Sequence, residues 1–180
     1  MQALKDYYIY SNITEGSKTL KISPSSGRIP ADVVVCAQYR RYKTVSSYDY
    51  VEGMCFWSNS RQIINYPKAH YDNGVSKQQN TNDWYKPLVR VFKNARGSVV
   101  GVNAPSYFLE CMLYNVPSTN YGVSFQASYI NVLKWLHDVN MDSFICNNGR
   151  QKLFGSELEQ WDIAQAKEIV MKLVRLWNNW

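Results

Sequence analysis

The segment Ala31-Asp32-Val33-Val34-Val35-Cys36 decides the first half of the fold, because three consecutive β-branched valines favour a buried β-strand. A single carboxylate, Asp32, lies inside this apolar run. Its burial is unfavourable unless a cation or hydrogen-bond donors hold it. Two interpretations are therefore open. Asp32 either lies at the mouth of the strand and caps a loop, or it is a metal-binding carboxylate that projects from the edge of a sheet.

The sequence pattern changes from strands to helices at Pro67. Alternating or apolar runs before it predict about four strands, at 13–22, 31–39, 50–57 and 62–66. Apolar residues at helical spacing after it predict helices at 82–99, 105–115, 124–139 and 162–177. We expect Asn82 or Asp83 to cap the first of these helices, and His70 to fix a loop that precedes it. The sequence thus predicts an α+β fold, with a sheet domain over 1–66 and a helical lobe over 67–180.

The composition is that of a globular chain that attracts anions. Hydrophobic residues make up 46% of the 180 residues, and the formal net charge is +6 with a pI near 9.1. This charge favours partners such as nucleotides and leaves nucleic acid open. The four cysteines form no C-x-x-C pair and have apolar neighbours, which predicts reduced, buried thiols in a cytoplasmic protein. No apolar run reaches the roughly 18 residues that a membrane span needs.

Several standard signatures do not occur in the sequence. It contains no P-loop, no G-x-G-x-x-G and no paired zinc-binding cysteines. With only His70 and His137 present, a metal site built from several histidines is not expected.

Four segments, taken together, are more informative. They are Ala31-Asp32-Val33-Val34, Pro67-Lys68-Ala69-His70-Tyr71-Asp72-Asn73-Gly74, Thr81-Asn82-Asp83-Trp84-Tyr85-Lys86-Pro87-Leu88-Val89-Arg90-Val91-Phe92-Lys93-Asn94-Ala95-Arg96 and Pro105-Ser106-Tyr107-Phe108-Leu109-Glu110-Cys111-Met112-Leu113-Tyr114-Asn115. In this order and spacing the segments resemble the bacterial nucleotidyltransferases that make cyclic oligonucleotides in antiphage signalling, relatives of oligoadenylate synthetases and of animal cyclic GMP-AMP synthase.

The resemblance implies a fold, a reaction and a set of site residues. A palm sheet in that family presents three acidic residues that hold two Mg²⁺ ions, and the metals act on the ribose hydroxyl and the triphosphate of ATP, GTP or another nucleoside triphosphate. Asp32 matches the third of these carboxylates, which makes it a catalytic and metal-binding candidate. Lys93 matches a lysine that reaches the donor triphosphate. Ser106 and Tyr107 match the helix start that contacts the donor nucleotide, where a tyrosine can stack on a base.

Each of these residues also has a structural interpretation. Lys93 can belong to a solvated basic stripe that it forms with Lys86 and Arg90, and Tyr107 can be a core aromatic. Arg90 and Glu110 can pair with one another or with their neighbours.

The sequence also departs from the family pattern. The family's first two acids lie in a D-x-D motif after a Gly-Ser turn, whereas Gly16-Ser17 is followed only by the lone Asp32. We therefore expect a chain that corresponds to the back part of the palm and the helical lobe, truncated and inactive or nearly so. The alternative is a non-catalytic nucleotide-binding or interaction module that associates with a full-length synthase. An incomplete palm is also expected to expose apolar sheet surface and to favour self-association or a protein partner.

Overall fold

The structure, a computed structural model, describes residues 6–7, 12–16, 18–45, 48–58, 60–99, 101–157 and 159–179. The chain divides into two compact units, Met1–Tyr66 and Pro67–Trp180. The first unit contains strands and the second contains helices, so the α+β class predicted from the sequence is confirmed.

The described residues of the first unit contain six short strands, which form two antiparallel three-stranded sheets. The first sheet has the order β1-β2-β3, with β1 at Ile13–Glu15, β2 at Leu20–Ile22 and β3 at Ala31–Val33. The second has the order β4-β5-β6, with β4 at Ala37–Tyr42, β5 at Tyr50–Ser58 and β6 at Arg61–Asn65. Small cores form beneath the sheets from the buried side chains of Leu20, Ile22, Cys55, Ile63 and Tyr66.

The strand prediction was correct at β5 and β6 but wrong in two details before them. The single strand predicted over 13–22 is a hairpin, because the chain turns where the backbone N–H of Gly16 donates to the carbonyl of Thr19 at 2.8 Å. The buried strand predicted over 31–39 ends at Val33, since β2 is only three residues long and leaves Val34 and Val35 without a partner. Both valines are therefore exposed.

Five α-helices occur among the residues of the second unit that the structure describes. They are α1 at Pro67–Asn80, α2 at Tyr85–Gly97, α3 at Ser106–Tyr114, α4 at Phe125–Asp138 and α5 at Ile163–Asn178. A short 3₁₀ turn, Ser118–Asn120, precedes α4. The last two helices are capped by side chains: Ser124 accepts a hydrogen bond from the Ala127 N–H and Asp162 accepts one from the Ala164 N–H.

The helices bury one continuous apolar core. Its largest fully buried side chains include Trp161, Tyr85, Phe92, Leu109 and Met112. α2 and α5 are strongly amphipathic, so their apolar stripes face this core, whereas α3 is apolar on several sides and lies within it.

The expectations for residues 67–83 were wrong. Residues 67–80 form helix α1 instead of a loop, and the only fully buried residue of α1 is Gly74. Asn82 and Asp83 do not cap α2, because both have a positive φ in the turn before it. The hydroxyl of Thr81 accepts the hydrogen bond of the Tyr85 N–H at 3.0 Å instead.

Candidate functional site

Three helices bring polar side chains together around one carboxylate. Lys93 on α2 donates from Nζ to Glu110 Oε2 on α3 at 2.7 Å, and His70 on α1 places Nε2 3.3 Å from Glu110 Oε1. Tyr107, one helical turn before Glu110, stacks on the His70 ring with the two centroids 5.4 Å apart and the planes at 24°. These four residues, His70, Lys93, Tyr107 and Glu110, are called the Glu110 cluster below.

The carboxylate of Glu110 is ionised because two donors converge on it. The hydrogen bond from His70 and the charge and hydrogen bond of Lys93 lower the pKa of Glu110 to about 2, against the opposing effect of burial. The side chains of Lys93, Glu110 and His70 are 29%, 27% and 24% exposed, so solvent reaches the cluster from one side. An anion arriving from that side would meet a lysine whose charge Glu110 already balances.

The Tyr107 ring offers an aromatic surface at the edge of the helical unit. It is 41% exposed, with His70 against one face and the Phe108 ring edge-on at a centroid distance of 5.5 Å. Burial of its hydroxyl end beside Cys111 and Cys146 raises the pKa of the Tyr107 phenol, so the hydroxyl is neutral. A neutral, half-exposed ring is suited to stacking and hydrogen bonding and cannot act as a base at neutral pH.

A buried hydrogen-bond network fixes Glu110 from behind. The hydroxyl of Tyr85 donates to the backbone carbonyl of Glu110 at 3.0 Å and accepts a hydrogen bond from Asn147 Nδ2 at 3.0 Å. The backbone carbonyl of Asn147 in turn accepts from Asn73 Nδ2 at 2.6 Å. Because Asn147 is fully buried, these bonds lock α1, α2 and α3 to the loop that contains it.

The structure brings some of the predicted residues together and leaves others apart. Lys93 and Tyr107 share the Glu110 cluster, and Ser106 lies beside Tyr107 as the exposed first residue of α3. Arg90 is exposed, and the ion-pair partners of Glu110 among the described residues are Lys93 and His70. Lys93 is therefore not part of a solvated stripe.

Asp32 occupies a different environment, in the sheet unit. It is the exposed middle residue of β3, and its Cα is paired in the register with that of Lys21 on β2. Within the described part of the chain, no group of three or more His, Cys, Asp or Glu side chains is placed to hold a metal ion. These residues therefore do not fit a two-ion Mg²⁺ site by themselves, since such sites use several carboxylates.

Sequence reasoning missed His70 as a site residue. Its two contacts in the cluster are with Tyr107 and Glu110, about 40 residues further along the chain. α1 contacts its neighbours through polar side chains such as Asn73 and Lys77, so apolar periodicity gave no signal. The only available signal was the segment Pro67–Gly74, which carries part of the family resemblance.

A separate cavity of about 520 Å³ lies between α2, α4 and the end of α5. It is lined by apolar and aromatic residues, among them Val91, Phe125, Tyr129 and Trp177, together with neutral amides. None of the described residues that line it is charged, so this cavity does not suit a triphosphate.

Comparison with known proteins identifies the family. Residues 72–178 match the profile of the cGAS/DncV-like nucleotidyltransferase C-terminal helical domain. The chain belongs to this family, and its second unit is the C-terminal helical domain.

Named relatives and solved structures agree with this assignment. The chain is 45% identical, over 99% of its length, to the cyclic UMP-AMP synthase of Rhodothermus marinus, and 35% identical, over 94%, to the cyclic nucleotide synthase CdnE01 of Staphylococcus haemolyticus. It spans 65% and 61% of these two relatives.

Two solved structures extend the likeness to the fold. The Rhodothermus marinus CdnE c-UMP-AMP synthase, solved with Apcpp and Upnpp, superposes with a TM-score of 0.92 at 46% identity. The match covers 99% of this chain and 64% of that one. The Elizabethkingia meningoseptica CdnE cyclic dinucleotide synthase, solved with GTP and Apcpp, superposes with a TM-score of 0.83 at 26% identity, over 99% of this chain and 67% of that one.

Two further expectations from the sequence concern membrane-spanning helices and the cysteines. Among the described residues, no helix has both the length and the apolar character to cross a membrane. Three of the four free cysteines are buried as predicted, but Cys36 is exposed because β3 ends before it.

Proposed function

We propose that this chain is the nucleotide-binding C-terminal portion of a CdnE-type synthase that makes cyclic dinucleotide signals from nucleoside triphosphates in antiphage defence. In this proposal the Glu110 cluster is the donor-nucleotide site: Lys93 binds the triphosphate, and Ser106 with Tyr107 binds the rest of the donor. The relatives named above as cyclic nucleotide synthases support the reaction class.

The observation that carries the proposal is the convergence of Lys93 and Tyr107. A cation for phosphate and an aromatic ring for a base come from two different helices and meet at one partly exposed cluster. The resemblance assigned these two residues to the same ligand. Their proximity gives that ligand a charged end and an aromatic end, as a nucleoside triphosphate requires.

Asp32 is proposed as one of the metal-binding carboxylates of a complete palm. Its exposed position on a sheet edge supports this role, because a carboxylate in contact with solvent is available to a cation. The remaining carboxylates are proposed to come from the part of the full-length relatives that this chain does not span. The chain alone is therefore expected to give no Mg²⁺-dependent product from ATP, GTP, CTP or UTP.

A chimera tests the whole proposal. The part of the Rhodothermus marinus synthase that this chain does not span, proposed to be its N-terminal part, is fused ahead of residue 1, and product formation from radiolabelled nucleotides is followed with Mg²⁺. We expect the chimera to make a cyclic dinucleotide and the isolated chain to make none. Asp32→Asn in the chimera is expected to reduce the rate by at least about 100-fold, because a missing metal ligand removes transition-state stabilisation.

The matched control is Asp49→Asn, which removes another exposed carboxylate of the sheet unit, the partner of Lys43, and should leave the rate nearly unchanged. A folded chimera that binds ATP without making product would favour the alternative, a non-catalytic nucleotide-binding module. Synthesis by the isolated chain would show that its own residues complete the metal site. The three buried free thiols favour a cytoplasmic location.

A further inference from the structure

Lys93, the proposed phosphate ligand, already has an anionic partner inside the protein. Its Nζ lies 2.7 Å from Glu110 Oε2, and both side chains are less than one third exposed. A triphosphate that binds Lys93 must therefore share the lysine with this carboxylate or separate the pair. A buried carboxylate that loses its cation is destabilised unless another donor remains.

His70 is the donor that remains. Because Glu110 is ionised it can only accept, so the Nε2 of His70, 3.3 Å away, carries the hydrogen that it donates. The other ring nitrogen, Nδ1, is buried and has no hydrogen-bond partner among the described residues. His70 thus holds Glu110 through Nε2, while Lys93 supplies a permanent positive charge.

The same imidazole also supports Tyr107. The His70 ring lies against one face of Tyr107 at a 24° interplanar angle, so that the tyrosine is held in one orientation. Cys111 and Cys146 lie within hydrogen-bonding reach of the Tyr107 hydroxyl.

We propose that Glu110 is an internal competitor for Lys93 that the donor triphosphate displaces, and that His70 is a positioning residue that retains Glu110 and orients Tyr107. The proposal rests on the assignment of the Glu110 cluster as the donor site. It predicts that removing the carboxylate strengthens phosphate binding, although Glu110 is hydrogen bonded to Lys93 and His70. A purely structural role for Glu110 predicts the opposite sign.

Two probes separate the two ends of the cluster: inorganic tripolyphosphate for Lys93 and adenosine for Tyr107, both titrated into the full chain and followed by amide NMR shifts. In the wild type both bind weakly, on the order of mM. Glu110→Gln should bind tripolyphosphate about twofold to fivefold more tightly, the range expected when one partner of a partly exposed pair is removed. Its affinity for adenosine should not change.

Two substitutions at His70 test its hydrogen bond to Glu110 and its stacking on Tyr107 separately. His70→Phe keeps a ring against Tyr107 but cannot donate a hydrogen bond, so Glu110 depends more on Lys93. The affinity for tripolyphosphate should therefore fall by about threefold or more. His70→Gln can still donate but cannot stack, so adenosine binds more weakly while tripolyphosphate affinity is kept. In the double variant with Glu110→Gln, His70→Phe should have no effect on tripolyphosphate.

Lys93→Ala removes the proposed phosphate ligand, and Lys86→Ala is its control. The first should abolish tripolyphosphate binding, and the second, on the same helix with an exposed side chain, should not change it. If Glu110→Gln weakens tripolyphosphate binding while Lys93→Ala does too, the donor site stands and the competitor role is overturned. If tripolyphosphate binds neither the wild type nor Glu110→Gln, or binds Lys93→Ala as well as the wild type, both the donor site and this inference fail.

Discussion

At the scale of single residues, the negative charge of Glu110 contributes to the stability of the helical unit. Its carboxylate is held by Lys93 at 2.7 Å and by His70 at 3.3 Å, and its backbone carbonyl by the Tyr85 hydroxyl at 3.0 Å. A carboxyl group that is stabilised in its charged form contributes to folding only while it is ionised.

The pH dependence of stability should report this directly. The pKa of Glu110 falls from an ordinary value of 4.5 to about 2 on folding, so its contribution is complete above pH 4.5 and is lost as the pH falls toward 2. Glu110→Gln should therefore remove part of the acid sensitivity, on the order of 2 kcal/mol between pH 5 and pH 2. Urea unfolding at several pH values measures it. The assignment would be contradicted if the free energy of unfolding fell equally with pH in the wild type and the variant. The control is Glu168→Gln, which removes an exposed partner of Lys172.

At the scale of elements, two glycines have opposite surroundings. A Cβ on Gly53 in β5 would lie 2.7 Å from the Asn65 carbonyl oxygen and 2.9 Å from Tyr66 Cδ1. Nothing lies within 4 Å of the corresponding position on Gly97, the last residue of α2. The first glycine is required by close approach of β6, and the second is not.

Substitution of the two glycines by alanine should therefore have opposite effects. Gly53→Ala is expected to destabilise the sheet unit by about 1–3 kcal/mol, since the backbone of β6 must shift. Gly97→Ala should be neutral or stabilise by up to about 1 kcal/mol, because alanine favours the helix. Thermal unfolding followed by far-UV circular dichroism compares them. If Gly53→Ala unfolds at the wild-type temperature, the close packing of β5 against β6 is wrong.

The helices and strands differ in how well the sequence predicted them. Helices α2 to α5 were predictable because their apolar residues recur at helical spacing, and Ser124 and Asp162 are good caps. Helix α1 was not, because its contacts are made by polar side chains and few of its residues are buried. The strands of the first sheet were misjudged because β-branched residues report a preference for extended backbone, whereas strand length depends on a partner strand.

The candidate site was also predictable from the sequence only in part. Lys93, Ser106, Tyr107 and Asp32 came from the resemblance to a family, which carries information about ligands that composition does not. The pairing of Lys93 with Glu110 and the position of His70 required the three-dimensional arrangement, because the contacts join three helices. No sequence pattern within one helix specifies which side chains of another helix it will meet.

At the scale of the whole molecule, the sheet unit exposes apolar side chains. Val35 is 74% exposed, Trp57 60% and Met54 45%. Large exposed apolar side chains favour association. We expect the purified chain to self-associate at high concentration, and Trp57→Lys to shift it toward monomer, as measured by sedimentation velocity. Met171→Lys, an exposed position on α5, should have no effect. A wild-type chain that remains monomeric at millimolar concentration would contradict this expectation.

Titration of ATP into the isotopically labelled chain tests whether the helical unit binds a donor nucleotide at the Glu110 cluster. We expect amide shifts at Lys93, Ser106, Tyr107 and Glu110 that saturate on the order of millimolar ATP and disappear in Lys93→Ala with Tyr107→Ala. Shifts that persist in this double variant, or that map to Arg40, Arg41 and Lys43 in β4 and its flank, would contradict it and place the anion site on the sheet unit.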